Sequence, residues 1–309
     1  MTPVDHSKQP NPMRRVWRFL NRPSSEKAIW LRSRWYDFRM FCRNIPVPIR
    51  LPYGAWWLAR DDHIGRPLKK GQFESDELRF VSKFLQPDMV VLDIGAHHGL
   101  YTLLASKRVG PRGKVFSFEP SVRERDALSR HVSLNHCRNV QILSPALGKE
   151  ALEADLFVVH PLGAGCNSLR PPASDVPFKS VPHRVRVARL DDEVATLKID
   201  QVDFIKLDVE GAELGVLEGA PQLLSHRPRP VILAEVQDIR TAPWGYQAKE
   251  IIALLRHLDF DFFQISGTGV LLELNTNMDA YDLNLVAIPR EQTESVLTRI
   301  NASTAGGEN

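Results

Sequence analysis

The sequence is poor in cysteine. Its three cysteines, Cys42, Cys137 and Cys166, lie far apart and form no CxxC pair. That pattern excludes a disulfide scaffold and the usual structural zinc spacings, and it points to a reducing compartment. Long apolar runs are also missing. No window approaches the ~18 consecutive apolar residues of a membrane span, and the N-terminus lacks an apolar core of signal-peptide length. The protein is therefore expected to be cytoplasmic, neither exported nor membrane-spanning. A surplus of one charge sign is absent as well: 40 Lys and Arg stand against 37 Asp and Glu, for a net charge of +3. Nothing in that balance marks a nucleic-acid binder, and no nucleic-acid partner is expected.

What remains is the composition of an ordinary globular chain, 43% hydrophobic and 25% charged over 309 residues, enough for one catalytic domain with extensions. The expected divisions are a basic aromatic extension over 1–50, a domain over 51–290 and a polar tail over 291–309 that should fray. Residues 1–50 hold eleven Lys or Arg against three acids, interleaved with Trp17, Phe19, Trp30, Trp35, Tyr36, Phe38 and Phe41. Three readings of this arm stand side by side: a helix packing its aromatics on the domain, peripheral membrane contact through residues 14–43, and recognition of an anionic partner. Pro46, Pro48 and Pro52 close it by denying helix continuation.

Beyond Arg50 short β-branched runs alternate with amphipathic stretches, the pattern of a parallel sheet with helices on both faces. Strands are predicted at 89–94, 114–119, 140–143, 204–208, 231–236, 260–265 and 283–288. Helices are predicted near 75–85, 100–108, 121–135, 212–225 and 247–258. Between Leu147 and Leu190 two further strands, 155–160 and 184–188, flank a Pro- and Ser-rich loop that is either a lid or an insertion.

The most informative segment is VVLDIGAHHGLYT, residues 90–102. A strand ends at Asp93, Gly95 and Gly99 form a turn, and a helix follows. Such glycines let backbone approach a ligand, and free N–H groups at a helix start bind a carboxylate. A dinucleotide fingerprint from Gly95 needs glycine at 97, where His97 stands, and a small residue at 100, where Leu100 stands. A phosphate loop needs glycine and lysine where Leu100 and Tyr101 stand. Asp-x-Gly-x-x-x-Gly instead suits S-adenosylmethionine, which offers a carboxylate, an amine and a sulfonium but no phosphate. Glu119 ends the next strand, KVFSFEP, where an acid can accept hydrogen bonds from both ribose hydroxyls.

Together with these blocks, DFIKLDVEGAELGVLEGA (203–220), PALG (145–148) and LAEV (233–236) resemble the FkbM family of S-adenosylmethionine-dependent methyltransferases over about Val90 to Val236. The resemblance implies a class I, Rossmann-like α/β methyltransferase fold, a mostly parallel seven-stranded sheet ordered 3-2-1-4-5-7-6 with the seventh strand antiparallel. It also implies O-methylation of sugars or natural products. By position it places Asp93, Gly95, Gly99, Tyr101 and Thr102 around the cofactor's methionine end, Glu119 at its ribose, and Ala146 with Pro145 and Leu147 at its adenine; His97, within the same turn, is a separate candidate for cofactor contact or base. The family usually has asparagine where this chain has His97.

Methyl transfer from a sulfonium needs alignment, exclusion of water and, for a hydroxyl acceptor, one base. Asp208, Glu210 and Glu235 lie at the carboxyl ends of two strands, the edge where open α/β sheets bind ligands, and Asp208 is the first choice of base or acceptor anchor. Asp208 or Glu210 could equally cap the following helix. A divalent cation shared by Asp208 and Glu235 is a further reading with no third ligand evident in the sequence, so no metal is assigned. His98 and His160 are further candidates. The expected partner is a small-molecule or glycan acceptor, with its determinants in the loop 162–182 and around Trp244 to Tyr246. Nitrogen methylation, or a non-catalytic binding module on the same fold, are the competing functions.

Overall fold

The computed structural model describes residues 45–62, 64–159, 165–171 and 179–305. The arm 14–43, His160 and parts of the loop 162–182 lie outside the described residues. A hairpin comes first, β1 (Val47–Arg50) antiparallel to β2 (Trp56–Ala59), with Pro48 on an edge strand where its missing N–H costs nothing. Helices α1 (Gly65–Lys69) and α2 (Ser75–Phe84) lead to β3 (Val90–Ile94). The chain then alternates through α3 (Leu100–Val109), β4 (Lys114–Phe118), α4 (Val122–Leu134) and β5 (Val140–Leu143).

Strands β6 (Ala146–Leu147), β7 (Leu152–Val159) and β8 (Ser180–Ala188) form a separate small sheet. Alternation resumes with α5 (Leu190–Thr196), β9 (Phe204–Leu207), α6 (Glu213–Glu218), α7 (Pro221–Ser225) and β10 (Val231–Gln237). The last elements are α8 (Asp238–Thr241), α9 (Lys249–His257), β11 (Phe260–Ile265), β12 (Leu271–Glu273), β13 (Asp282–Pro289) and α10 (Thr293–Ala305).

The main sheet runs β12-β11-β13-β10-β9-β3-β4-β5. Without β12 this is the 3-2-1-4-5-7-6 order, and β13 is antiparallel to both its neighbours. The eighth strand, β12, is a three-residue addition hairpinned to β11 at the edge, too short to show as a periodic run. Side chains on the strands alternate between faces. Leu92, Ile94, Ile205, Leu207, Ile232 and Ala234 meet α5, α6, α7 and α9, whereas Val91, Phe204, Val231 and Leu233 meet α2, α3 and α10. Both faces are thus covered, and the parallel strands present all their carboxyl ends at one edge.

Two expectations change in detail. The predicted helix 212–225 divides into α6 and α7, because Pro221 starts a new helix where its fixed φ is welcome. Residues 293–305, expected to fray, form α10, which buries Val296 and Ile300 against the sheet. Those two residues stand four apart on one helix face, and the polar residues around them hid the stripe.

The β1–β2 hairpin is strapped to α4 and to the glycine turn by a single imidazole. His131 stacks on Trp57 with ring centroids 3.9 Å apart. Its Nε2 accepts from the Leu58 N–H at 3.0 Å, so in the neutral ring Nδ1 carries the proton and donates to the His98 carbonyl at 2.8 Å. Asn135, one turn on, accepts from the Trp56 N–H and donates to the Trp56 carbonyl, each at 2.7 Å. Burial, the larger cause, and nearby Arg60 and Arg130 push the His131 pKa down to about 4. The unfolded chain therefore takes up this proton first as the pH falls. The stability tied to neutral His131 should be fully present above about pH 6.5, the ordinary histidine value, and be lost on descent toward pH 4. His131→Phe, which keeps the stack but strands the Leu58 N–H, should cost ~1–3 kcal/mol at pH 7. It should also flatten the loss of stability between pH 6.5 and 4, as measured by chemical denaturation at several pH values. An unchanged slope would show that the strap carries no proton linkage.

Candidate active site

The carboxyl edge of the sheet opens into a cleft of about 300 Å³. Asp93, Gly95, His97, Tyr101, Glu119, Ala146, Asp208, Glu210 and Glu235 all line it, so residues distant in sequence converge as expected. Gly99 and Thr102 do not line it. Gly99 starts α3 at φ +91° with its α-carbon against Leu128, and Thr102 is fully buried. Thr102 acts instead on Asp93: its hydroxyl donates to Asp93 Oδ2 at 2.5 Å and lies 2.8 Å from Ser117 Oγ. That bond orients a carboxyl group whose pKa burial pushes up to about 6.

The glycine turn is where two strand ends touch. A Cβ on Gly95 would lie 1.7 Å from the Asp208 carbonyl oxygen, and φ there is +82°, so only glycine fits. His97 also holds the left-handed region at φ +48°, a conformation that asparagine tolerates better than most residues. Histidine is also among the residues enriched in that region, so the backbone accommodates it here. The His97 N–H donates to Glu119 Oε2 at 2.8 Å, and the Ser121 N–H donates to Glu119 Oε1 at 2.8 Å. Each Glu119 oxygen keeps a lone pair for a ligand, while burial, with Glu124 adding to it, pushes the group up to about 8.

At the acidic edge, neither Asp208 nor Glu210 caps the following helix: α6 begins after Ala212 with no side-chain cap bond. Glu213 Oε1 instead folds back over the preceding turn and accepts from the Val209 and Gly211 N–H groups at 2.9 and 3.2 Å. Asp208, Glu210 and Glu235 are left to face the cleft, with ligand oxygens all within 4.8 Å of one another. Burial and the charges of Asp208 and Glu210 raise the Glu235 pKa well above the ordinary carboxylate range. Glu210 sits at φ +55° and pairs with Arg240 at 3.0 Å. Its carbonyl accepts from Ser168 Oγ at 2.8 Å and from Trp244 Nε1 at 3.4 Å. The Tyr246 hydroxyl donates to the Gly211 carbonyl at 2.8 Å, so Trp244 and Tyr246, expected near the acceptor, brace this turn from behind. Gly165 to Leu169 of the loop do line the cleft.

Two site residues escaped the sequence reading. Lys206, only 2% exposed on the strand FIKL, places Nζ 3.1 Å from Asp208 Oδ2 and over the Tyr101 ring. Burial works to lower its pKa, but Asp208, Glu74 and Glu235 outweigh it and hold the ammonium above its ordinary range. The signal was available, since one charge in an otherwise apolar strand demands partners. Glu74 lines the cleft from a left-handed position at φ +44° and accepts from the Tyr101 hydroxyl at 2.5 Å. No motif announces it.

Strand order and cleft together define an α/β methyltransferase. The model of the Methyltransferase FkbM domain matches residues 93–262, more than half of the chain, and the chain belongs to this family. Among characterised relatives, the AMB antimetabolite synthetase AmbE of Pseudomonas aeruginosa is 27% identical over 57% of this chain and 10% of its own length. Methyltransferase 1 of Beauveria bassiana is 28% identical over 43% of this chain and 58% of its own. For these two the match spans less than two thirds of the relative. Methyltransferase sdnD of Sordaria araneosa is 27% identical over 55% of this chain and 73% of its own. Among solved structures, a Methyltransferase FkbM from Methylobacillus flagellatus is 15% identical, covering 74% of this chain and 56% of that one at a TM-score of 0.40.

If Glu119 holds a ribose, Glu119→Ala should weaken S-adenosylmethionine binding by ~1.5–3 kcal/mol in titration calorimetry, the range for hydrogen bonds to a charged group. Unchanged affinity in a folded variant would leave Glu119 only the task of tying the His97 and Ser121 amides.

Proposed function

We infer that the chain is an S-adenosylmethionine-dependent O-methyltransferase whose acceptor is a small molecule or glycan, a hydroxyl of a saccharide or secondary metabolite. The observation that carries this reading is the contact between Gly95 and Asp208, which makes the glycine turn and the acidic edge two walls of one cleft. When bound, S-adenosylmethionine supplies a methyl group already activated for displacement. The residues present fit that ligand: a turn that only glycine can make, an acid at the end of β4 with free lone pairs, and an apolar shelf at Pro145, Ala146 and Leu147.

The chain's own contribution is positioning. Gly95 lets the backbone come close to the methionine end, Asp93 and Tyr101 stand beside it, and Glu119 receives the ribose hydroxyls. Asp208 anchors the acceptor oxygen or takes its proton, with Glu210 and Glu235 beside it. Trp57, Phe73, Leu156 and Leu169 supply apolar wall that excludes water from the reacting atoms.

S-adenosylmethionine should raise the melting temperature while NAD and ATP should not, because only a ligand of the native state stabilises it. Asp208→Asn should keep cofactor binding and lower turnover ~100-fold or more, measured with labelled S-adenosylmethionine and an extract supplying the acceptor. Near-normal turnover would move the acceptor away from Asp208.

A further inference from the structure

Asp208 directly follows β9, Glu235 lies near the end of the adjacent β10, and Glu210 stands on the turn after Asp208. Their positions are fixed by backbone. Leu207 and Ala234 are register partners in the parallel pair, which sets the next residues of the two strands side by side. Glu210 is pinned through its carbonyl by Ser168 and Trp244 and through its carboxylate by Arg240. The three groups present oxygens within 4.8 Å of one another toward the cleft.

Charge compensation among them is uneven. Asp208 has Lys206 and Glu210 has Arg240, both approaching from the protein side. Among the described residues Glu235 has no ion pair. Its Oε2 is shielded from solvent and has no hydrogen-bond partner among the described residues. A carboxylate oxygen in that state costs free energy unless something in the cleft meets it.

We propose that Asp208, Glu210 and Glu235 form a binding site for one divalent cation of the Mg²⁺ or Mn²⁺ type. This inference rests on the O-methyltransferase reading and deepens it. All three donors are hard carboxylate oxygens, the set that suits these ions and not the softer ones held by Cys and His. Three monodentate carboxylates leave half of an octahedral shell open toward the cleft, where a hydroxyl oxygen of the acceptor and water would complete it. Lys206 and Arg240 keep the site from being so negative that it holds the cation against any acceptor, and an acceptor oxygen developing negative charge would restore neutrality. The acceptor class that follows is a hydroxyl beside a second oxygen, as in a vicinal diol or a hydroxy acid, which can occupy two adjacent positions on the ion.

The test is binding of Mn²⁺ to the full chain stripped with a chelator, followed by the electron paramagnetic resonance signal of the free ion. One Mn²⁺ per chain is expected, displaced by Mg²⁺. Glu235→Gln and Glu210→Gln should each weaken it about tenfold or more, with melting curves confirming that both variants fold. His98→Gln, in the other candidate cluster formed by His97, His98 and Glu124, should leave the binding as it was. No saturable Mn²⁺ binding up to millimolar concentration, or binding that neither Gln variant weakens, would overturn the proposal and leave a proton shared at Glu235 as what fills the gap. Calorimetry of S-adenosylmethionine on the same stripped protein separates the two readings. Cofactor binding without Mn²⁺ binding sinks only the cation, and Mn²⁺ binding without cofactor binding sinks the methyltransferase cofactor.

Discussion

Three carboxylates at one sheet edge repel each other strongly in a cleft of low dielectric, and the buried ammonium of Lys206 is what makes that arrangement tolerable. Nζ lies against Asp208 and within the field of Glu74 and Glu235, above the ring of Tyr101. Remove that charge and every neighbour is destabilised at once, because an unpaired buried carboxylate costs far more than a paired one. The apolar strand around Lys206 keeps water out and so strengthens each of these pairings. The cleft is therefore an electrostatic unit drawn from α3, β9, β10 and the turn before α2, and its parts cannot be weighed one at a time.

A second unit, made of hydrogen bonds and not of ion pairs, surrounds it. Thr102 fixes Asp93, the amides of His97 and Ser121 fix Glu119, and His131 and Asn135 fix the hairpin that brings Trp57 to the cleft. These contacts join the glycine turn to α4 and to chain N-terminal of the family-matched region. The wall supplied by Trp57 and Glu74 thus comes from chain that precedes the family-matched residues 93–262.

Legibility in the sequence followed backbone periodicity. Strands such as 140–143 and 260–265 were readable to the residue, because β-branched and aromatic runs bounded by turn residues have few other solutions. β12 and α10 were not readable, the first for its three-residue length and the second because two buried side chains four apart are easily lost among polar ones. At the site, the acids at strand ends were legible since topology alone decides where carboxyl ends lie. What Asp208 and Glu210 do was not, because the competing cap reading turned on where α6 starts, which is after Ala212 and without a side-chain cap bond. Thr102 differs again: the family resemblance placed it at the ligand, whereas helical geometry turns its hydroxyl inward to Asp93.

The contact of Gly95 with the Asp208 carbonyl leaves no atom's width between the first and fourth strands' loops. Lengthening or repacking either loop displaces the other, so neither can drift in sequence independently. Room to reshape the cleft is therefore left to its remaining walls, the hairpin side around Trp57 and Phe73 and the small-sheet side from Gly165 to Leu169. Those two segments can be altered in this chain while the seam beneath them stays whole.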